Sequence, residues 1–227
     1  MDPGNSTISL STAAEGLQRL TALLPLRQRL DSLSPVARRI YQATLCSFAE
    51  NGRALQVEEM SALESGDPRG PLKELSEADL VVLDKDGNEV AGAYPFADRE
   101  TAHMVEINGQ FVHAMCALDA VAIAPMFRTE TRVISRCAHT DEAVTIAQRD
   151  SVLLNVRPAN GVLVGIRWQA PGGHSAHSLC QEMVFLTDAK AAGAWGQTRS
   201  DCTFYELGEA LAFAKGFFLP LMDAANE

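Results

Sequence analysis

Met115-Cys116-Ala117-Leu118-Asp119 sets a thiol and a carboxylate three residues apart. If a helix begins near Cys116, that spacing lays both on one face. Backbone dipoles favour a thiolate in the first turn of a helix. A neighbouring carboxylate opposes this and raises both pKa values unless a cation intervenes. Such a pair is suited to exchanging a proton. The same residues also describe a small buried cysteine beside a helix-capping aspartate. Cys180 follows Pro171-Gly172-Gly173-His174-Ser175-Ala176-His177, whose glycines predict a mobile loop, and loops on rigid scaffolds often line sites. An ordinary core cysteine fits that position as well. His174 and His177 are metal ligands by type, though a pair in a polar loop reads more simply as solvent-exposed. Cys137, at a strand end in Ser135-Arg136-Cys137-Ala138-His139, reads as a buried structural residue. Cys46, on a helix, and Cys202, near a helix start, have no chemical partner in sequence and read as packing residues.

The five cysteines are odd in number and include no C-x-x-C. This disfavours a disulfide framework and a zinc ribbon, and favours reduced thiols. Any metal site must be assembled by the fold from distant segments. Residues 1–10 carry no basic and then apolar export pattern, and no run approaches the roughly 20 apolar residues of a membrane span. The expectation is a cytoplasmic chain without a membrane partner. A net charge of −10 argues against nucleic acid as a partner, because phosphate contacts need a basic surface.

These groups must be positioned by the elements around them. Residues 1–11 read as a flexible N-terminus. Leu17, Leu20, Leu23 and Leu24 recur at helical spacing and Pro25 disturbs that helix near its end. Ser34-Pro35 is an N-cap followed by proline at the first helical position, and the helix it opens stops near Asn51-Gly52. Val57, Met60 and Leu63 mark a short helix, the run Ser65-Gly66-Asp67-Pro68 breaks the chain, and Leu72 and Leu75 mark another helix. Residues 81–90 read as strand, tight turn and strand. Helices followed by a hairpin outline a winged-helix-like domain over residues 12–94. Its nine Lys/Arg against fourteen Asp/Glu give a difference of −5 over residues 1–94, which favours a structural role over DNA binding.

From residue 95 to 227 the texture changes to short strands flanked by helices, an α+β domain with a mixed, mainly antiparallel sheet. Strands are expected at 104–107, 109–113, 131–135, 143–147, 161–169 and 179–186. Helices are expected at 119–127, from the Thr187-Asp188 cap to Trp195, and at 206–219.

Taken together, these segments resemble the bacterial organomercurial (alkylmercury) lyase family. The resemblance rests on Met115-Cys116-Ala117-Leu118-Asp119-Ala120, similar to the family's Trp-Cys-Ala-Leu-Asp-Thr. It extends to 84–88 upstream, to Arg132-Val133-Ile134-Ser135-Arg136-Cys137 downstream, and to the stretch from Leu179-Cys180 through Phe185 to Ala194-Trp195. It implies a catalytic set of Cys116, Asp119 and Cys180, with Cys137 structural. It also implies that Cys116 and Cys180 bind the mercury of substrate and product, with Asp119 as a further ligand. The implied reaction is protonolysis of R–Hg⁺ to R–H and Hg(II). It uses free thiols as co-reactants, requires no organic cofactor, and passes Hg(II) to free thiols or a mercuric reductase. Met115 in place of Trp, Gln181 where some members carry Cys, and the Gly/His loop at 171–178 depart from the family pattern and bear on substrate range. Two alternatives remain open at this level. One is a non-catalytic soft-metal-binding or metal-transfer paralogue, the other a metal-responsive winged-helix regulator.

Overall fold

A computed structural model describes residues 8–64, 66–159 and 161–222. Residues 1–7 of the expected N-terminal tail, and Ser65 of the breaker run, lie outside the described residues. Leu10 and Ser11 run beside a later strand, Ser11 N–H donating to the Phe204 carbonyl at 2.9 Å. Helix α1 (Ala13–Leu23) opens on a capping box in which Thr12 and Glu15 satisfy each other's backbone N–H groups. It closes just before Pro25, and α2 (Leu26–Asp31) follows. Ser34 caps α3 (Pro35–Asn51) by accepting the Ala37 N–H at 3.2 Å, and Gly52 ends it with a left-handed φ of 72°. Helices α4 (Val57–Glu64) and α5 (Arg69–Glu77) come next.

The expected hairpin is β1 (Val81–Leu83) and β2 (Val90–Ala93), its turn held by the Asp84 carboxylate, which accepts the Asn88 and Glu89 N–H groups. The chain continues through β3 (Phe96–Ala97), β4 (Met104–Ile107), β5 (Gln110–Ala114), α6 (Ala117–Phe127), β6 (Glu130–Arg136), β7 (Ala143–Arg149) and β8 (Val152–Arg157). These strands form one antiparallel sheet in the order β1-β2-β3-β5-β4-β6-β7-β8, so the hairpin is the outer end of the large sheet. A second sheet pairs β9 (Leu163–Arg167) antiparallel with β10 (Met183–Leu186) on one side and β11 (Cys202–Glu206) on the other. Helix α7 (Ala189–Gln197) is capped by Asp188, and α8 (Leu207–Phe218) closes the chain's regular structure. The fold is α+β, with mainly antiparallel strands.

Helix α6 lies at the centre, and every residue from Ala117 to Met126 is buried. Apart from Asp119 the helix is apolar on every side, as an interior helix is, and it packs between the large sheet and α8. Its fully buried Leu118, Val121 and Ile123 contribute roughly 1.5–3 kcal/mol each.

Some elements differ from the sequence expectation. β3, β8 and β11 were not anticipated. β3 is two residues long, and β8 is an edge strand whose register against β7 shifts at Ala147/Gln148, so its two half-buried core contacts, Leu153 and Val156, fall three residues apart and show no alternation. Cys202 opens β11, where Thr203, Phe204 and Tyr205 fill the free side of β9, instead of preceding a helix directly. Residues 161–169 are a strand only over Leu163–Arg167, and α6 begins at Ala117, two residues before the expected Asp119. The expected strand 179–186 begins at Met183. Leu179–Glu182, including Cys180, form a 3-10 turn, and the ladder of β10 with β9 stops at the Met183–Ile166 pair although β9 runs on to Arg167.

Candidate active site

Strand β5 leads directly into the first thiol. The Met115 N–H donates to the Pro95 carbonyl at 3.1 Å, and Cys116 follows in extended conformation as the N-cap of α6. Its sulfur accepts the Asp119 N–H at 3.3 Å, the place a serine or aspartate oxygen usually takes. One helical turn then carries the Asp119 carboxyl onto the same side, fully buried. The second thiol comes from the other sheet: Cys180 sits in the 3-10 turn before β10, only 5% exposed. One ligand atom from each of Cys116, Asp119 and Cys180 lies within 4.8 Å of the others. Among the described residues this is the one group of three or more His, Cys, Asp or Glu side chains close enough to share an ion. A third sulfur adjoins it, since the Cys116 thiol donates to Met183 Sδ at 3.6 Å.

The trio is sealed. Leu20 of α1 and Leu24 just beyond it, Phe217 and Phe218 at the end of α8, and Tyr94 close over it, leaving a cavity of about 10 Å³. Neither oxygen of Asp119 meets hydrogen-bond geometry with a partner, although the Cys116 thiol and backbone amide lie near enough to act on its charge. Burial pushes this carboxyl up to about 7, against a smaller opposing pull from the Cys116 thiol and backbone amide. Burial, reinforced by Cys180 and Asp119, also pushes the Cys116 thiol well above its usual range. At Cys180 the Cys116 thiol favours the thiolate, but burial and the charges of Asp119 and Asp79 together outweigh it and leave the thiol raised. Near neutral pH the ground state is therefore two neutral thiols and a carboxyl that can hold or release a proton. Soft sulfur donors facing an unpaired acid are suited to a soft cation and a proton transfer.

The family model for alkylmercury lyase (MerB) matches residues 96–218, more than half of the chain, and that span contains all three side chains. The chain belongs to the alkylmercury lyase family. An alkylmercury lyase of Pseudomonas putida is 29% identical over 100 residues, which cover 44% of this chain and 47% of that protein. The match thus spans about half the length of that relative. An alkylmercury lyase of Staphylococcus epidermidis is 25% identical over 171 residues, covering 75% of this chain and 77% of that protein. The fold also superimposes on the crystal structure of the mercury-bound form of MerB2, with a TM-score of 0.74, 18% identity, and coverage of 88% of this chain and 99% of the other.

Other expected residues of this family member lie apart from the trio. Cys137 is buried in a second apolar cluster with Leu163, Leu186, Trp195 and Phe204. Its sulfur accepts the Thr140 N–H at 3.5 Å and the Thr187 hydroxyl at 3.6 Å. Burial raises that thiol, but the donors around it prevail and leave its pKa lowered. Cys46 and Cys202 are half-buried. His177 is exposed, whereas His174, expected in solvent, is half-buried with Nδ1 3.1 Å from Asp79. Sequence reasoning missed Tyr94 and Asp79 altogether. Asp79 stands two residues beyond a helix end among other acids, where nothing distinguishes it from a solvated carboxylate.

Proposed function

We propose that this chain cleaves the carbon–mercury bond of organomercurials by protonolysis, with Cys116, Cys180 and Asp119 as the reacting groups. The observation that carries the reading is the Asp119 carboxyl, buried with both oxygens unpartnered and set against two thiols. An unpaired buried acid is costly, and a substrate whose cleavage consumes a proton gives it a use. Two thiols and a carboxyl around one point match the needs of an organomercury cation.

The substrate reaches the site as its thiol adduct, R–Hg–SR′. The Cys116 thiol passes its proton to Asp119, and the resulting thiolate bonds to mercury. The Cys180 thiol bonds in turn, its proton leaving with the displaced thiol R′–SH. Two thiolates load electron density onto the metal and weaken the carbon–mercury bond. Asp119 then protonates the carbon, and R–H departs. Mercury(II) stays on Cys116 and Cys180 until two external thiols, or a mercuric reductase, take it and restore both protein thiols. A carboxyl with a pKa near 7 can both accept and deliver a proton at neutral pH. No organic cofactor enters this balance. A cavity of about 10 Å³ is barely the space of one water, so access requires the side chains of α1 and α8 to move aside.

The test is detection of R–H from methyl- or phenylmercury with excess thiol, by proton NMR or gas chromatography. Wild type is compared with Cys116→Ala, Asp119→Ala and Cys180→Ala. Release by wild type and its loss in all three variants is expected. Binding of the organomercurial without R–H from wild type rejects the reading in favour of a soft-metal carrier.

A further inference from the structure

One carboxylate ties the loop before Cys180 to the end of α5. Asp79 has a left-handed φ of 57° and is 8% exposed. Both of its oxygens lie 3.2 Å from the Ser175 nitrogen, and Oδ2 also accepts the Ser175 hydroxyl at 2.6 Å. His174 Nδ1 lies 3.1 Å from Oδ1, and Arg29 Nη1 lies 3.5 Å from Oδ2. The Tyr94 hydroxyl donates to Oδ1 at 3.3 Å and accepts the Ala176 N–H at 2.6 Å. Three successive residues, His174, Ser175 and Ala176, are thus fastened to Asp79 or to the phenol it holds. Two short 3-10 turns, Ser175–His177 and Leu179–Glu182, lead from that anchor to Cys180. Ladder pairing with β9 begins only at Met183. Tyr94 is also a wall of the cavity around the trio.

We propose that Asp79 is a positioning residue for the Cys180 thiol. Through Ser175, His174 and Tyr94 it fixes where this sulfur stands relative to Cys116 and Asp119. The inference rests on the assignment of the trio as the reacting groups. Two sulfurs that must bond one atom have little positional tolerance, and Cys116 is already fixed as the cap of α6. Charge-assisted hydrogen bonds to a buried carboxylate hold a segment more firmly than neutral ones. Removing the carboxylate strands the Ser175 amide and hydroxyl, so the segment must rearrange to satisfy them.

The experiment compares full-length wild type, Asp79→Ala and Asp79→Asn in two readouts. One is R–H release from methylmercury with excess thiol. The other is the iodoacetamide labelling rate of each cysteine, resolved by mass spectrometry. Asp79→Ala is expected to lower kcat/KM about 100-fold, the scale of an ångström's misplacement. It should speed labelling of Cys180 at least about tenfold through local opening, while Cys137 keeps its wild-type rate. Asp79→Asn keeps an acceptor oxygen for Ser175 and is expected to recover part of both, and it carries the test alone if the alanine variant does not fold. A kcat/KM within about twofold of wild type, with unchanged Cys180 labelling, overturns the proposal. Faster labelling of Cys116, Cys137 and Cys180 alike also overturns it, because that pattern marks general loosening. No R–H from wild type would overturn the lyase reading instead, and the Cys180 labelling would still decide on the anchor.

Discussion

Replacing Asp119 by Asn removes one titration between pH 5 and pH 8 while keeping nearly the same side-chain shape. Burial raises the wild-type carboxyl from an ordinary 3.8 to about 7. Between those values the folded chain binds more protons than the unfolded one, so stability falls as pH rises through the window. The cost is fully present above pH 7. At 1.36 kcal/mol per pKa unit, the group costs about 1.5–2 kcal/mol at pH 5 and about 4 kcal/mol at pH 8. The difference in unfolding free energy between wild type and Asp119→Asn should therefore shift by about 2–3 kcal/mol against wild type from pH 5 to pH 8. The asparagine variant has its own unpaired amide, which lowers its baseline but does not titrate. Urea unfolding with reduced thiols, followed by the fluorescence of the buried Trp168 and Trp195, measures this across the range. A difference constant to within about 0.5 kcal/mol from pH 5 to 8 would refute a desolvated carboxyl at this site. The same variant should lose about 10²–10⁴-fold in R–H release.

Four further outcomes are expected. Burial lowers His103 to about 4, with Nδ1 2.8 Å from the Ser135 hydroxyl. Acid should therefore remove about 3 kcal/mol as pH falls from 6.5 to 4, because the unfolded chain takes the proton first. His103→Gln should flatten that limb of the urea-unfolding pH profile. A Cβ at position 165 would lie 2.7 Å from Leu186 Cδ1 and 3.3 Å from the Trp195 ring. Gly165→Ala should thus cost about 1–3 kcal/mol, read as a lower Tm. Finally, Cys180→Ser should abolish retention of Hg(II) by the folded protein. Cys137→Ser, placed in the second apolar cluster, should lower Tm and leave R–H release per folded molecule near wild type.

The chemistry was legible in the sequence where it was local. The Cys116–Asp119 spacing implies a shared helix face, and the structure places both at the start of α6. Ser34-Pro35 and Asn51-Gly52 bound α3 as capping rules require. What sequence could not supply was distance. Cys180 reaches Cys116 through the position of β10 beside β9, a pairing no local pattern encodes, and only the family resemblance connected the two thiols. The β-rich composition of 179–186 suggests a strand through Cys180, but the ladder stops at the Met183–Ile166 pair and the four residues before it coil into a 3-10 turn. Asp79 illustrates the same limit. A carboxylate's role depends on which N–H groups face it, and Ser175 arrives from 96 residues away. The helix expected at 119–127 is present as α6, and its burial on every side follows from the apolar run around Asp119.

The sulfur of Cys116 has two tasks, because it also receives the Asp119 backbone N–H. Whatever draws electron density from that sulfur must weaken its grip on the amide, and whatever removes its proton must strengthen it. The amide proton of Asp119 is therefore a built-in reporter of the reacting atom. In a ¹⁵N-labelled chain its resonance should move one way when the thiol ionises and the other way when the thiolate is shared with mercury. The occupancy of a buried site could then be followed without labelling, cutting or opening it.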